Sequence, residues 1–160
     1  MILSPKIVTF PKTQFIGINL QFTYANYRAF ELWSRFMPRR NEIEDAIGED
    51  LYNIQINPED FDFSPHTPFV KWACRPVSKT DKIPIDMQIL EIPEGLYTVF
   101  VYKGNGQDVA SFFEKIYTEW LPNSGYVLDT RPQFEILGAK YKYNAPESEE
   151  EIYIPIKNRY

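Results

Sequence analysis

Apolar residues recur at every second position from Ile16 to Phe22, which predicts a strand with Ile16, Ile18, Leu20 and Phe22 on one face and Phe15, Gly17, Asn19 and Gln21 on the other. From about Asn26 the spacing turns helical, through Tyr27, Phe30, Trp33 and Phe36, with Leu32 and Met37 widening the stripe. Pro38 interrupts that helix, and Arg39 to Ile43 add a last turn. Tyr52, Ile54 and Ile56 alternate in a short strand, and an Asp-, Ser- and Pro-rich loop from Asn57 to Pro68 leads to another near Phe69 to Arg75.

The second half repeats this order. Met87 to Ile92 and Leu96 to Tyr102 read as strand segments around Pro93-Glu94-Gly95, and Lys103-Gly104-Asn105-Gly106 leads into a helix whose apolar side carries Val109, Phe112, Phe113, Ile116, Tyr117 and Trp120. Pro122 and Gly125 end the helix. Gln133 to Leu137, extending toward Tyr143, and Glu151 to Ile156 supply the last two strands. The pattern predicts an α+β fold of two pseudo-duplicated strand-helix-strand-strand halves, about 5–80 and 85–158, within one domain spanning residues 1–160. A half of roughly 75 residues with one helix and three strands cannot cover both faces of its own sheet, so the halves pack side by side into an antiparallel sheet with two main helices. The groove between them is the natural ligand site.

The last strand draws most attention for function. In Glu151-Ile152-Tyr153-Ile154-Pro155-Ile156, burial of the isoleucine face turns Glu151 and Tyr153 the opposite way together. Facing a concave aromatic surface, Glu151 is a pocket carboxylate; facing solvent, it is a surface acid.

Composition narrows the function classes. The single Cys74 and single His66 exclude an internal disulfide and a His/Cys metal centre, so neither metal nor cofactor is expected. A formal net charge of -5, with Arg39-Arg40 as the one basic cluster, argues against sequence-independent nucleic-acid binding. No apolar run is long enough for a membrane span or a signal h-region, which makes a cytoplasmic protein the expectation. Aromatics are the excess, at 16% of residues, including 11 Tyr and 12 Phe. Gly104-Asn105-Gly106 lacks the rest of a phosphate loop and reads as a strand-to-helix turn. His66, between prolines, reads as a loop residue, and Cys74 as buried and inert. No Ser-His-acid or Cys-His set offers covalent catalysis.

Three segments of the second half carry a resemblance. The run Ile92-Pro93-Glu94-Gly95-Leu96-Tyr97-Thr98-Val99-Phe100 with Tyr102-Lys103-Gly104, the helix end Tyr117-Thr118-Glu119-Trp120-Leu121-Pro122-Asn123-Ser124-Gly125-Tyr126, and the Glu151 to Ile156 strand together resemble the GyrI-like effector-binding domains. These occur alone or fused to AraC-type or MerR-type DNA-binding domains. The match covers about Asp86 to Lys157; the first half fits more loosely, through Phe15-Ile16-Gly17 and Trp33 to Arg40.

The resemblance implies a hydrophobic cleft between duplicated halves, served by the acid that opens the final strand motif, here Glu151. That acid meets cationic ligands in regulators and takes part in water activation in hydrolase members. Candidates to line the cleft with it are Tyr153, Phe100, Tyr102, Trp72, Trp33 and Trp120. Trp33, Trp120 and Trp72 fit plain core packing as well. The leading expectation is a stand-alone small-molecule-binding module for lipophilic or cationic organic compounds, acting in ligand sensing or sequestration. An unpartnered buried carboxylate selects for positive charge, and aromatic faces add roughly 0.5 to 2 kcal/mol per cation. The alternatives are a hydrolase in which Glu151 activates water, and a protein-binding inhibitor of DNA gyrase type that uses the acidic segment Glu147 to Glu151.

Overall fold

The computed structural model describes residues 4–104, 109–142 and 145–160. Strands β1 (Lys6–Phe10) and β2 (Thr13–Phe22) come first, followed by helix α1 (Ala29–Phe36), a 3-10 turn (Met37–Glu42), β3 (Leu51–Ile56) and β4 (Phe69–Val77). The second half supplies β5 (Gln88–Ile92), β6 (Gly95–Lys103), α2 (Val109–Lys115), β7 (Tyr126–Leu128), β8 (Gln133–Leu137) and β9 (Glu149–Asn158). Between α2 and β7 the chain continues as a π turn to Trp120 and a 3-10 turn to Asn123.

The strands make one antiparallel sheet in the order β1-β6-β9-β8-β3-β4-β2-β5, with β7 paired to the end of β9. Exchanging the halves leaves this order unchanged: β6-β9-β8 matches β2-β4-β3, and each half lends its first strand to the far edge of the other. The halves meet at β3 and β8, where Asn53 lies opposite Glu135 and Gln55 opposite Gln133.

Both faces of the sheet are covered. On one face the sheet curls over a core of its own side chains, in which Phe15, Ile54, Trp72, Cys74, Tyr97 and Phe134 pack with Phe10 and Tyr153. The stacked rings of Phe134 and Tyr153, 4.6 Å between centroids, tie β8 to β9 there. The other face carries the helices. Leu32 and Phe36 of α1 pack on Ile16, Ala73 and Val77, and Phe112 and Ile116 pack on Phe100, Tyr102, Ile152 and Ile154. The helices sit over the outer strands of each half, so the central strands β3 and β8 form the floor of a groove between them.

Two sequence expectations shift. The first helix begins at Ala29 rather than Asn26, and its stripe is Leu32 and Phe36; Phe30 is 77% exposed and Tyr27 lies outside the helix, facing the groove. Short β1 and β7 were not expected, because Pro5 and Pro11 bracket the first and the second spans only Tyr126 to Leu128. Asn105, Gly106 and Tyr143 lie outside the described residues. Among the described residues no helix is long and apolar enough to cross a membrane.

Candidate functional site

The groove is a cavity of about 700 Å³, within the size range of small-molecule sites. Its floor comes from alternate residues of the central strands, Asn53 and Gln55 on β3 and Gln133 and Glu135 on β8. Lys71 on β4 and Glu150 on β9 flank that floor from either half. Such a polar floor interrupts an otherwise apolar sheet, because the same strands turn Ile54, Phe134 and Ile136 to the opposite core.

Aromatic side chains make the walls. Phe113 and Tyr117 come from the second helical segment, and Tyr24 and Tyr27 from the loop before α1. Phe63 reaches across from the loop between β3 and β4, its ring 5.3 Å from that of Tyr117. Phe61 backs it at 4.8 Å, and Asp62 braces the loop by accepting hydrogen bonds from Ser64 N and Thr67 Oγ1, both at 3.0 Å. Phe63 holds a φ of 60°, a left-handed conformation that a bulky residue adopts at a cost. Tyr117 donates to Gln133 Oε1 at 2.7 Å, which fixes both groups at the cavity wall, and burial pushes the phenol's pKa up.

Electrostatics centre on Glu150. Burial, the field of Glu135 and a hydrogen bond with Glu135 push its pKa up to about 8, against the lesser opposing field of Lys71. Two carboxyls can share a hydrogen bond only through a proton, so the pair holds one proton near neutral pH. Lys71 is buried, which works against its charge, yet its interactions with Tyr27 and Glu135 outweigh burial and keep the ammonium charged. The amide oxygen of Asn53, also on the floor, is buried with no hydrogen-bond partner among the described residues.

Of the side chains expected from the sequence, Tyr102 lines this cavity. Glu151 does not: it is exposed, paired with Val101 and Ile136, and shares the sheet face of Tyr153, opposite the helices. The isoleucine face of β9 lies against α2, and the cleft opens on that same face, so alternation from Ile152 brings Glu150 to the cavity and turns Glu151 away. Tyr153 and Trp72 pack in the core of the curled face. Phe100 is buried beneath the second helix with Trp120, rings 5.3 Å apart, and Trp33 meets Phe36 edge-on at 5.8 Å. The last strand begins at Glu149, two residues earlier than expected, so Glu150 lies within it on the isoleucine face that meets the cleft. Glu135, Lys71 and the loop residue Phe63 were missed. Alternation of Gln133 and Glu135 with Phe134 and Ile136 was the available signal for Glu135.

Other expectations concern chemistry outside the cleft. Cys74 is fully buried, which pushes its thiol pKa well up, and His66 is exposed in its loop. Among the described residues, no group of three or more His, Cys, Asp and Glu side chains is gathered to hold a metal. In the acidic run that leads into β9, Glu147 pairs with Lys142 at 3.7 Å, and Glu149, the first residue of the strand, with Lys140 at 3.5 Å.

A family model described as the GyrI-like small molecule binding domain matches residues 3–157. The chain is 26% identical over 153 residues to the transcriptional regulator BrlR of Pseudomonas aeruginosa, covering 94% of this chain and 54% of that protein. It thus spans about half the length of that relative. Among solved structures, SAV2435 bound to tetraphenylphosphonium matches 97% of this chain and 94% of its own, with a TM-score of 0.74 at 14% identity. The C-terminal domain of EcmrR matches 99% of both chains, with a TM-score of 0.71 at 13% identity.

Proposed function

Because the chain belongs to the GyrI-like small-molecule-binding family, we propose that its cleft captures an organic ligand carrying a positive charge or a strong hydrogen-bond donor. Glu150 and Glu135 read that group from the floor, while Tyr24, Tyr27, Phe63 and Tyr117 cover the apolar surface around it. The observation that carries this reading is the hydrogen-bonded carboxyl pair. Its proton stands where a ligand cation would, and a cation that displaces the proton meets two acceptors in a partly dehydrated, aromatic-walled space.

A neighbour of the same fold holds an aromatic cation, tetraphenylphosphonium, which supports the assignment of chemistry. The output of binding is ligand sensing or sequestration. Calorimetric titration with tetraphenylphosphonium and with neutral triphenylphosphine oxide tests the reading. The cation binds and the oxide does so at least about tenfold more weakly, with the difference lost in Glu150→Gln. Equal affinities would sink it.

One observation favours a second reading. A carboxyl with a pKa near 8 and a hydrogen-bonded carboxyl neighbour suits general acid–base chemistry at neutral pH. Hydrolysis of a reactive aryl ester that disappears in Glu150→Gln, with binding of the ester retained, would support it; no turnover would leave the cleft as a binding site.

A further inference from the structure

The cleft contains both signs of charge, and its cation has no part in reading another cation. Lys71 pairs with Leu20 on β2, and Glu150 pairs with Tyr102 on β6, so the two occupy matching rungs of the two half-sheets. The duplicated architecture therefore presents an ammonium from one half and a carboxyl from the other, on either side of the shared floor.

Lys71 is 6% exposed, yet it lines the cavity. Among the described residues its ammonium donates to Tyr27 Oη alone, at 3.1 Å, and Nζ stands 5.6 Å from the centroid of that ring. Glu135 acts on it only through space, with no hydrogen bond between them. A lysine retained as a counter-charge for the carboxyls would contact one of them, because a buried pair is tolerated only with direct geometry. An ammonium has three donors, and one is used. On the same floor, and among the described residues, the Asn53 amide oxygen lacks a donor. Unmet polar groups of both kinds, buried in one cavity, describe the ligand that would satisfy them.

We propose that the ligand of this cleft is dipolar: an organic molecule whose cationic or donor group meets Glu150, Glu135 and Asn53 Oδ1, and whose anionic group, such as a carboxylate or sulfonate, meets Lys71 and Tyr27. The proposal rests on the reading of the cleft as a small-molecule site with a cation-reading acid pair, and narrows its ligand class. A simple lipophilic cation would be brought beside a buried, poorly screened ammonium. A dipolar ligand turns that repulsion into a charge-assisted hydrogen bond.

Rhodamine B and its ethyl ester separate the two cases, since both carry the xanthylium cation and only the former carries a carboxylate. Fluorescence anisotropy titrations at about pH 9, with the visible band of the open dye monitored, are expected to show rhodamine B bound at least about tenfold more tightly than the ester. Both Lys71→Met and Tyr27→Phe reduce that ratio, toward unity for the lysine variant, with folding verified by the thermal transition. Tyr27 is exposed and leaves the core untouched, so its variant keeps the test intact if Lys71→Met does not fold. Wild type binding the ester as tightly as rhodamine B overturns the dipolar ligand and leaves the cation-reading cleft standing. Neither dye binding overturns both.

Discussion

Glu150 and Glu135, on the adjacent strands β9 and β8, share a hydrogen bond at the floor of the cleft, and that bond requires a proton. Each carboxyl reaches this place by strand alternation from a core residue: Glu150 from Ile152, and Glu135 between Phe134 and Ile136, which point the other way. The site is thus a consequence of the same register that builds the two cores.

Stability should fall with pH across the titration of this pair. The folded pKa of Glu150, about 8, lies above its ordinary value of 4.5, so the folded chain keeps a proton that the unfolded chain has released. Its stabilising contribution is intact below about pH 4.5 and is lost as pH rises toward 8, by up to about 1.4 kcal/mol per pH unit. Thermal melts of wild type between pH 5 and 9 will decline relative to Glu150→Gln, which keeps a hydrogen-bond donor without a charge. Parallel curves would mean that the proton is not held there.

Glu150 and Glu151 are adjacent and chemically identical, and they make opposite predictions. Glu151→Gln leaves tetraphenylphosphonium affinity and stability within about 0.5 kcal/mol of wild type, as for an ordinary surface residue. Glu150→Gln weakens the cation at least tenfold by the charge lost, on the order of 1.4 kcal/mol. Isothermal titration of both variants decides which of the two acids meets the cleft, and a loss confined to Glu151→Gln would reverse the assignment.

Phe63 is held at a φ of 60° with 43% of its surface exposed, so its ring covers the cleft at the expense of backbone strain. Phe63→Gly should therefore lower affinity for an aromatic ligand by about 1 kcal/mol while leaving the thermal midpoint equal or higher. A matching fall in both quantities would make Phe63 a structural residue rather than part of the wall.

Gly17 lies where β2 approaches β4 closely, and a methyl group there would meet the carbonyl oxygen of Ala73 and the side chain of Cys74. Gly17→Ala should destabilise the fold by about 3 kcal/mol, because the neighbour to be moved is backbone of the adjacent strand. Chemical denaturation checks this, and a neutral result would show that the two strands separate easily.

Much of this fold was legible in the chain. The change from a period of two to a helical period, made twice in the same order, carried the paired halves, the two helices and the groove between them. The GyrI-like motifs of the second half pointed to the same family that the whole chain matches. What alternation alone left open was which face of β9 meets the cleft. The isoleucine face is buried under α2, and on the other face Tyr153 is half-buried inside the curled sheet beside exposed Glu151, so an amphipathic reading of the strand did not say which face meets the cleft. Trp72 and Tyr153 were drawn into the expected pocket by their ring chemistry, and the curl of the sheet buries them elsewhere. Lys71 was invisible for a related reason: a lysine between Val70 and Trp72 reads as the exposed side of an edge strand, whereas β4 is interior and its polar face looks into the cavity.

The most direct measurement of the central claim is the affinity of wild-type protein for tetraphenylphosphonium as a function of pH, from about 6 to 9.5. If the cation competes with the proton shared by Glu150 and Glu135, as proposed, affinity should rise by up to about tenfold per pH unit below 8 and level off above it, with a flat profile in Glu150→Gln. A wild-type profile that is flat across this range, at whatever affinity, would contradict a cleft that exchanges a proton for a ligand's positive charge.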